Sequence, residues 1–165
     1  MGRASLTGGG LDSRAPAVIV GVGNTICGDD GVGPAVARRV RELLPDPSAW
    51  DVIELCCSPM EVVEQLSGYR RAVVVDALVD WDAPVGTVFR VALAGEDADL
   101  SPPSHGLGLT NALALARAAG LPFPEQLLVY GIVVKGPLVF GEGLSDELRA
   151  RVDTIACSIA LELSA

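Results

Sequence analysis

Two adjacent aspartates, a third aspartate and a single histidine are the residues of this sequence best suited to chemistry. Asp29 and Asp30 lie in a glycine-rich segment, 21–33, directly after an apolar stretch, and Asp76 follows a second apolar stretch. His105 is the only histidine in the chain. Two carboxylates and one imidazole suit a divalent metal ion, and an incomplete protein ligand set leaves positions open for water or substrate. One interpretation is therefore a metal site formed by Asp30, Asp76 and His105.

The glycine-rich segment itself does not fit a phosphate-binding loop. The dinucleotide fingerprint requires a third glycine where this chain has Ile26. Asp29 and Asp30 would also repel a pyrophosphate placed at the start of the following helix. The segment favours a cation or a proton instead.

Each of these residues also has a purely structural interpretation. Asp29 is predicted to be the N-cap of a helix that begins near Gly31, a position that favours aspartate. Asp76 could cap a neighbouring turn, and His105 could be a hydrogen-bonding residue of a surface loop. Because one loop seldom turns two adjacent side chains the same way, we assign the cap to Asp29 and the metal to Asp30.

Apolar periodicity predicts the elements that position these groups. Strands are expected at 17–22, 52–55, 71–76, 86–91 and 126–132, and helices at 32–44, 60–66, 110–119 and from Ser145 to about 163. This alternation predicts an α/β fold. Its open, mostly parallel twisted sheet has about five strands, helices on both faces, and 86–91 as an antiparallel edge strand. Such sheets bind ligands beyond the carboxyl ends of their strands.

Composition limits the class of protein. The 165 residues suit one domain, predicted at 16–165 after a flexible tail at 1–15. The sequence shows no run near the roughly 20 apolar residues that cross a bilayer and no secretory pattern, so a cytoplasmic protein without a membrane partner is expected. A formal net charge of −9 disfavours nucleic acid. The four cysteines lack a C-x-x-C spacing and are expected to be reduced.

Three motifs in order resemble the hydrogenase maturation proteases. They are Gly21-Val22-Gly23-Asn24 with Asp29-Asp30-Gly31-Val32-Gly33, then Val74-Val75-Asp76-Ala77, then His105-Gly106-Leu107-Gly108-Leu109. The likeness spans most of residues 17–163 and implies an α/β fold of the phosphorylase/hydrolase-like kind. Proteases of this family remove a C-terminal extension from the large-subunit precursor of nickel-iron hydrogenases once nickel is in place.

The resemblance implies an endopeptidase in which Asp30, Asp76 and His105 contact nickel that the precursor delivers. Asp30 and Asp76 are then the catalytic carboxylates, as in an aspartyl-type protease, and no organic cofactor is expected. A monomer is expected, whose partner is the precursor. We also predict substrate contacts from four residues: Asn24, Cys56, Cys57 and Gly106.

The sequence departs from the family after the second strand. Many members carry a D-G-G-T-like segment where this chain has Leu55-Cys56-Cys57-Ser58-Pro59, which bears on substrate selection. Two routes to hydrolysis stay open: a carboxylate acting as general base on water, or attack by a metal-polarised water. The alternatives to a maturation protease are an assembly chaperone or nickel-binding module of the same fold, and a metallohydrolase acting on a small amide.

Overall fold

The computed structural model describes residues 16–56, 58–91, 107–136 and 139–165. Its five strands form one sheet in the order β2-β1-β3-β5-β4. The strands are β1 (Ala17–Val22), β2 (Trp50–Leu55), β3 (Arg71–Val79), β4 (Val88–Arg90) and β5 (Gln126–Val134). The pairs β1–β2, β1–β3 and β3–β5 are parallel, while β4 runs antiparallel to β5 at the edge. The predicted α/β sheet with one antiparallel edge strand is confirmed.

Helices cover both faces of the sheet. They are α1 (Val32–Leu43), α2 (Pro59–Leu66), α3 (Leu107–Ala118), α4 (Asp146–Arg149) and α5 (Val152–Ser164). Side chains alternate along β3, so that Val73 and Val75 join the core beneath α1 and α5. Ala72 and Val74 join the opposite core, beneath α2 and α3. Strands buried on both faces explain the continuous apolar runs in the sequence.

Several predicted boundaries differ from those of the structure, notably the end of β3 and the C-terminal helix. The third strand was expected to end at Asp76, but β3 continues to Val79 because β5 pairs with it as far as Val134. The predicted single C-terminal helix is two helices, α4 and α5, interrupted at residues 150–151. Its predicted start is confirmed, since the Ser145 side chain accepts a hydrogen bond from the Leu148 amide at 3.4 Å.

Among the described residues, no helix is long and apolar enough to span a membrane. The three described cysteines, Cys27, Cys56 and Cys157, are free thiols, as expected. The predicted tail, 1–15, and the fourth cysteine, Cys57, lie outside the described residues. The division into a tail and a single domain stays a prediction.

Candidate active site at the carboxyl ends of the strands

The first acidic loop folds back onto the end of β1. Gly23 allows this, because its φ is 144° and any side chain there would collide with the Asp30 carbonyl. The Asn24 amide then donates to Asp30 Oδ2 at 2.6 Å. Within the described part of the chain, Asp30 Oδ1 has no hydrogen-bond partner. The loop therefore engages one oxygen of Asp30 and leaves the other without a partner among the described residues.

Asp29 does not cap α1, contrary to the sequence prediction. A 3-10 turn, Gly28–Gly31, precedes α1, and the N-cap residue of α1 is Gly31, with no side-chain cap. The Asp29 carboxylate instead accepts hydrogen bonds from the Ser145 amide at 2.7 Å and the Ser145 hydroxyl at 2.9 Å. Asp29 thus joins the acidic loop to the start of α4, 116 residues away, whereas Asp30 accepts its hydrogen bond from within the loop.

Asp76 lies inside β3, at the first position beyond the pairing with β1. That pairing ends at Gly21 and Val75, whereas Asp76 is still paired with Gly131 of β5. The strand therefore loses its β1 neighbour at Asp76, on the side where the acidic loop begins. The Ala77 amide donates to Asp76 Oδ1 at 2.8 Å.

The Asp76 carboxyl is half-buried among apolar side chains. Its pKa is raised from 3.8 to about 7, chiefly by burial; the hydrogen bond from Ala77 opposes the rise, and the negative charge of Asp30 adds to it. Asp30 is therefore near enough for its charge to act on the Asp76 carboxyl. Because like charges and burial both disfavour a second negative charge, Asp76 can hold a proton near neutral pH.

A cavity of about 10 Å³ adjoins Asp76. Its lining is mostly apolar and comes from three strand or loop segments and α3: Leu78, Val91, Leu109, Thr110, Val129, Tyr130 and Gly131. This volume is close to that of one water-sized probe and is far too small for a peptide side chain. A group larger than a water molecule therefore does not fit in this cavity.

The third predicted ligand, His105, lies outside the described residues, as does Gly106. The helix that follows them, α3, begins at Leu107, and its Leu109 and Thr110 line the cavity beside Asp76. Among the described residues, no group of three or more His, Cys, Asp or Glu converges to hold a metal ion. The described part of the chain therefore supplies two carboxylates of the predicted ligand set.

Two of the predicted substrate-binding residues lie at this end of the sheet. Cys56 is exposed directly after β2, and the Gly23 amide donates to the Leu55 carbonyl at 2.9 Å, which joins the end of β2 to the acidic loop. The Asn24 side chain accepts from the Ile26 amide at 3.1 Å and so shapes the loop. Substrate contacts from these residues stay a prediction, and Cys57 lies outside the described residues.

Sequence reasoning missed the segment that supports the acidic loop from the far side. Gly141 forms an isolated parallel bridge with Cys27: the Gly28 amide donates to the Gly141 carbonyl at 2.9 Å, and the Gly141 amide to the Ile26 carbonyl at 3.1 Å. The only local signal in that region was the cap preference of Ser145. The loop and the segment before α4 therefore form one connected surface.

A larger cavity, of about 370 Å³, lies at the opposite end of the sheet. Its lining includes Trp50, Arg71 and Gln126, the first residues of three parallel strands. It is therefore separate from the carboxylates at the strands' carboxyl ends.

The chain is similar to several solved structures over almost its whole length. The [NiFe] hydrogenase maturation protease HybD from Thermococcus kodakarensis is 26% identical, with 90% of this chain and 99% of that chain covered and a TM-score of 0.64. The hydrogenase maturating endopeptidase HybD from E. coli is 23% identical, with 89% and 91% covered and a TM-score of 0.64. The chain has the fold of the hydrogenase maturation proteases.

The resemblance of the sequence motifs to the hydrogenase maturation proteases is thereby confirmed, and with it the assignment to peptidases. The [NiFe] hydrogenase maturation protease HycI from T. kodakarensis KOD1 extends the likeness, at 24% identity, 93% and 96% coverage and a TM-score of 0.63. No protein-family model and no curated protein matches the sequence. The similarity is therefore detected from the three-dimensional structure and from three short sequence motifs.

Proposed function

We propose that this protein is an endopeptidase that removes a C-terminal extension from the nickel-loaded large-subunit precursor of a nickel-iron hydrogenase. The observation that carries the proposal is the carboxylate pair: the raised pKa of Asp76, to about 7, beside Asp30 at the open carboxyl end of the sheet. Two acidic groups held in unlike environments are suited to acid and base work in one site. The hydrogenase maturation proteases with the same fold support the choice of reaction.

Nickel enters this scheme as part of the substrate. Asp30 Oδ1 and the Asp76 carboxylate are the oxygen donors, and His105 is the proposed nitrogen donor. Oxygen and imidazole donors without a thiolate bind such an ion loosely and exchangeably. A site that becomes complete only when the precursor brings its nickel would leave unmetallated precursor uncut, because the scissile bond would not be positioned.

Hydrolysis requires a water oxygen to attack the peptide carbonyl carbon, the C–N bond to break, and a proton to reach the departing amine. An ionised carboxylate of the pair can accept a proton from that water and later return it to the amine. When nickel binds, its charge favours ionised Asp76, so metal arrival and proton release are coupled. Attack by a nickel-polarised water uses the same residues and stays an alternative within this proposal.

The remaining expectations from the sequence belong to the same proposal. Asn24, Cys56, Cys57 and Gly106 contact the precursor, and the loop after β2 adapts the enzyme to its particular hydrogenase. The protein acts in the cytoplasm as a monomer, and no organic cofactor takes part.

The experiment is incubation of the purified protein with nickel-loaded precursor, followed by electrophoresis and mass determination. We expect the precursor to shorten by one C-terminal segment, with Asp76→Asn inactive. Binding of the precursor without shortening would instead indicate an assembly chaperone. Hydrolysis of small amides with added metal and no precursor would indicate a self-contained metallohydrolase.

A further inference from the structure

Three exposed apolar side chains cluster beside the acidic loop. Ile26, Val139 and Phe140 are 52%, 70% and 85% exposed, and Phe140 is the most exposed of the large apolar residues in the described part of the chain. We call these three residues the apolar ridge. An aromatic ring so fully in water gains nothing from folding, and exposed apolar residues that backbone bonds hold close together are typical of an interaction site.

Backbone hydrogen bonds hold the ridge together and hold it next to Asp30. The Ile26 and Gly141 backbones are joined directly at 3.1 Å, so Phe140 is one residue from that bond. Ile26 itself is four residues from Asp30, across the 3-10 turn. The two hydrogen bonds between Asp29 and Ser145 fasten the same two segments at a second point. The ridge is therefore a fixed border of the candidate site.

Charge around the ridge restricts what can cover it. Asp29 and Asp30 lie in one of its segments and Glu142 in the other, and the whole chain carries a net charge of −9. A second copy of this chain would bring the same carboxylates face to face, and an anionic membrane would be repelled. In the part of the chain that the structure describes, the cavity beside Asp76 has a volume of only about 10 Å³, which is too small for an organic ligand. A polypeptide that presents apolar side chains flanked by lysine or arginine fits both the shape and the charge.

We propose that the apolar ridge docks the precursor polypeptide next to the scissile bond, through an apolar segment flanked by basic residues. This rests on the proposed function, because it places the substrate of the same site. Phe140 supplies an aromatic anchor, a residue type that is enriched at protein interfaces. The exposed carboxylate of Glu142, two residues from Phe140, then faces the basic flank and orients the segment toward Asp76.

The test uses full-length protein with Phe140→Ser, Ile26→Ser as a second variant, and Leu161→Ser as the matched control. Leu161 is 68% exposed on α5, whose neighbouring Glu162 pairs with Arg90 at 3.1 Å, near the amino ends of the parallel strands. Because all three side chains are exposed, melting temperatures should stay within about 2 °C of wild type. Cleavage of nickel-loaded precursor is measured at varied substrate concentration.

We expect Phe140→Ser to raise KM roughly thirty-fold with kcat within about two-fold, as loss of one interface anchor would do. Ile26→Ser should raise KM by a smaller factor, and Leu161→Ser should leave both constants unchanged. Glu142→Lys should also raise KM, since it reverses the charge that faces the basic flank.

The proposal is overturned if wild type cleaves the precursor and Phe140→Ser does so with KM within two-fold of wild type. Sedimentation showing a wild-type dimer that Phe140→Ser separates, or binding to anionic phosphatidylglycerol vesicles that it abolishes, would also overturn it. Failure of wild type to cleave the precursor refutes the proposed function itself. In that case the docking role of the ridge is tested separately by measuring precursor binding to Asp76→Asn with and without Phe140→Ser. We still expect Phe140→Ser to lower the affinity roughly thirty-fold.

Discussion

Replacing Asp76 by asparagine should separate its chemical role from any role in folding. The pKa of Asp76 is raised from 3.8 to about 7 in the folded protein. Ionisation of this carboxyl at pH 8 therefore lowers the free energy of unfolding by about 4 kcal/mol. Asparagine carries no charge, has nearly the same volume, and keeps an oxygen for the Ala77 amide. The NH₂ group of asparagine is half-buried and lacks hydrogen-bond partners among the described residues there, which lowers the free energy of unfolding by about 1–2 kcal/mol. The net effect at pH 8 is a gain of about 2 kcal/mol.

The direction of the pH dependence follows from the raised pKa. A carboxyl that is harder to ionise in the folded state destabilises the fold as the pH rises from 3.8 through 7. At pH 5.5 wild-type Asp76 is mostly protonated, so the wild-type free energy of unfolding is about 2 kcal/mol less reduced by this carboxyl than at pH 8. We therefore expect Asp76→Asn to melt about 4–8 °C above wild type at pH 8 and within about 2 °C of it at pH 5.5.

Thermal melts of both proteins at the two pH values, followed by circular dichroism, measure this difference. Asp82→Asn is a matched control that removes an exposed carboxyl from the loop after β3, and its melting temperature should stay within about 2 °C of wild type. Cleavage of nickel-loaded precursor by Asp76→Asn should be lost at every pH. The reasoning is refuted if the variant is less stable than wild type at pH 8, because Asp76 would then be a structural residue.

The remaining predictions concern the acidic loop and nickel. Asp29→Ala removes both hydrogen bonds to Ser145 and should lower the free energy of unfolding by about 1 kcal/mol in urea melts, with cleavage retained; unchanged stability would contradict the anchoring role. Asp30→Ala should change stability less and abolish cleavage, and the reverse pattern would move the ligand role to Asp29. Nickel binding should strengthen as the pH rises toward about 7, because Asp76 must lose its proton. Calorimetry in buffers of different ionisation enthalpy measures how many protons are released when nickel binds. The same number for Asp76→Asn would exclude Asp76 as the source of the proton.

Sequence reasoning predicted the parts of the fold that depend on local pattern. Continuous apolar runs gave the buried strands, and the short Pro-Val-Gly turn before residues 86–91 left no room for a crossover helix. The antiparallel edge strand, β4, follows from that spacing. The helix start at Ser145 was also predictable, because a serine before two acidic residues favours a helix N-terminus.

The errors arose where distant partners decide the structure. Asp29 has the residue type and sequence position of a helix cap. In the structure its carboxylate instead accepts hydrogen bonds from Ser145, 116 residues further along the chain. The end of β3 moved past Asp76 because β5 supplies a partner as far as Val134. The ridge was not predicted, because nothing in the local sequence around Phe140 indicates that it meets the loop at Cys27.

The most direct test of the account compares nickel-loaded and nickel-free precursor as substrates for the same enzyme preparation. The released C-terminal peptide is measured by mass spectrometry over time. We expect a single peptide from the nickel-loaded precursor, none from the nickel-free precursor, and none from either with Asp76→Asn. Equal cleavage of both precursors would show that Asp30 and Asp76 do not recognise nickel carried by the substrate.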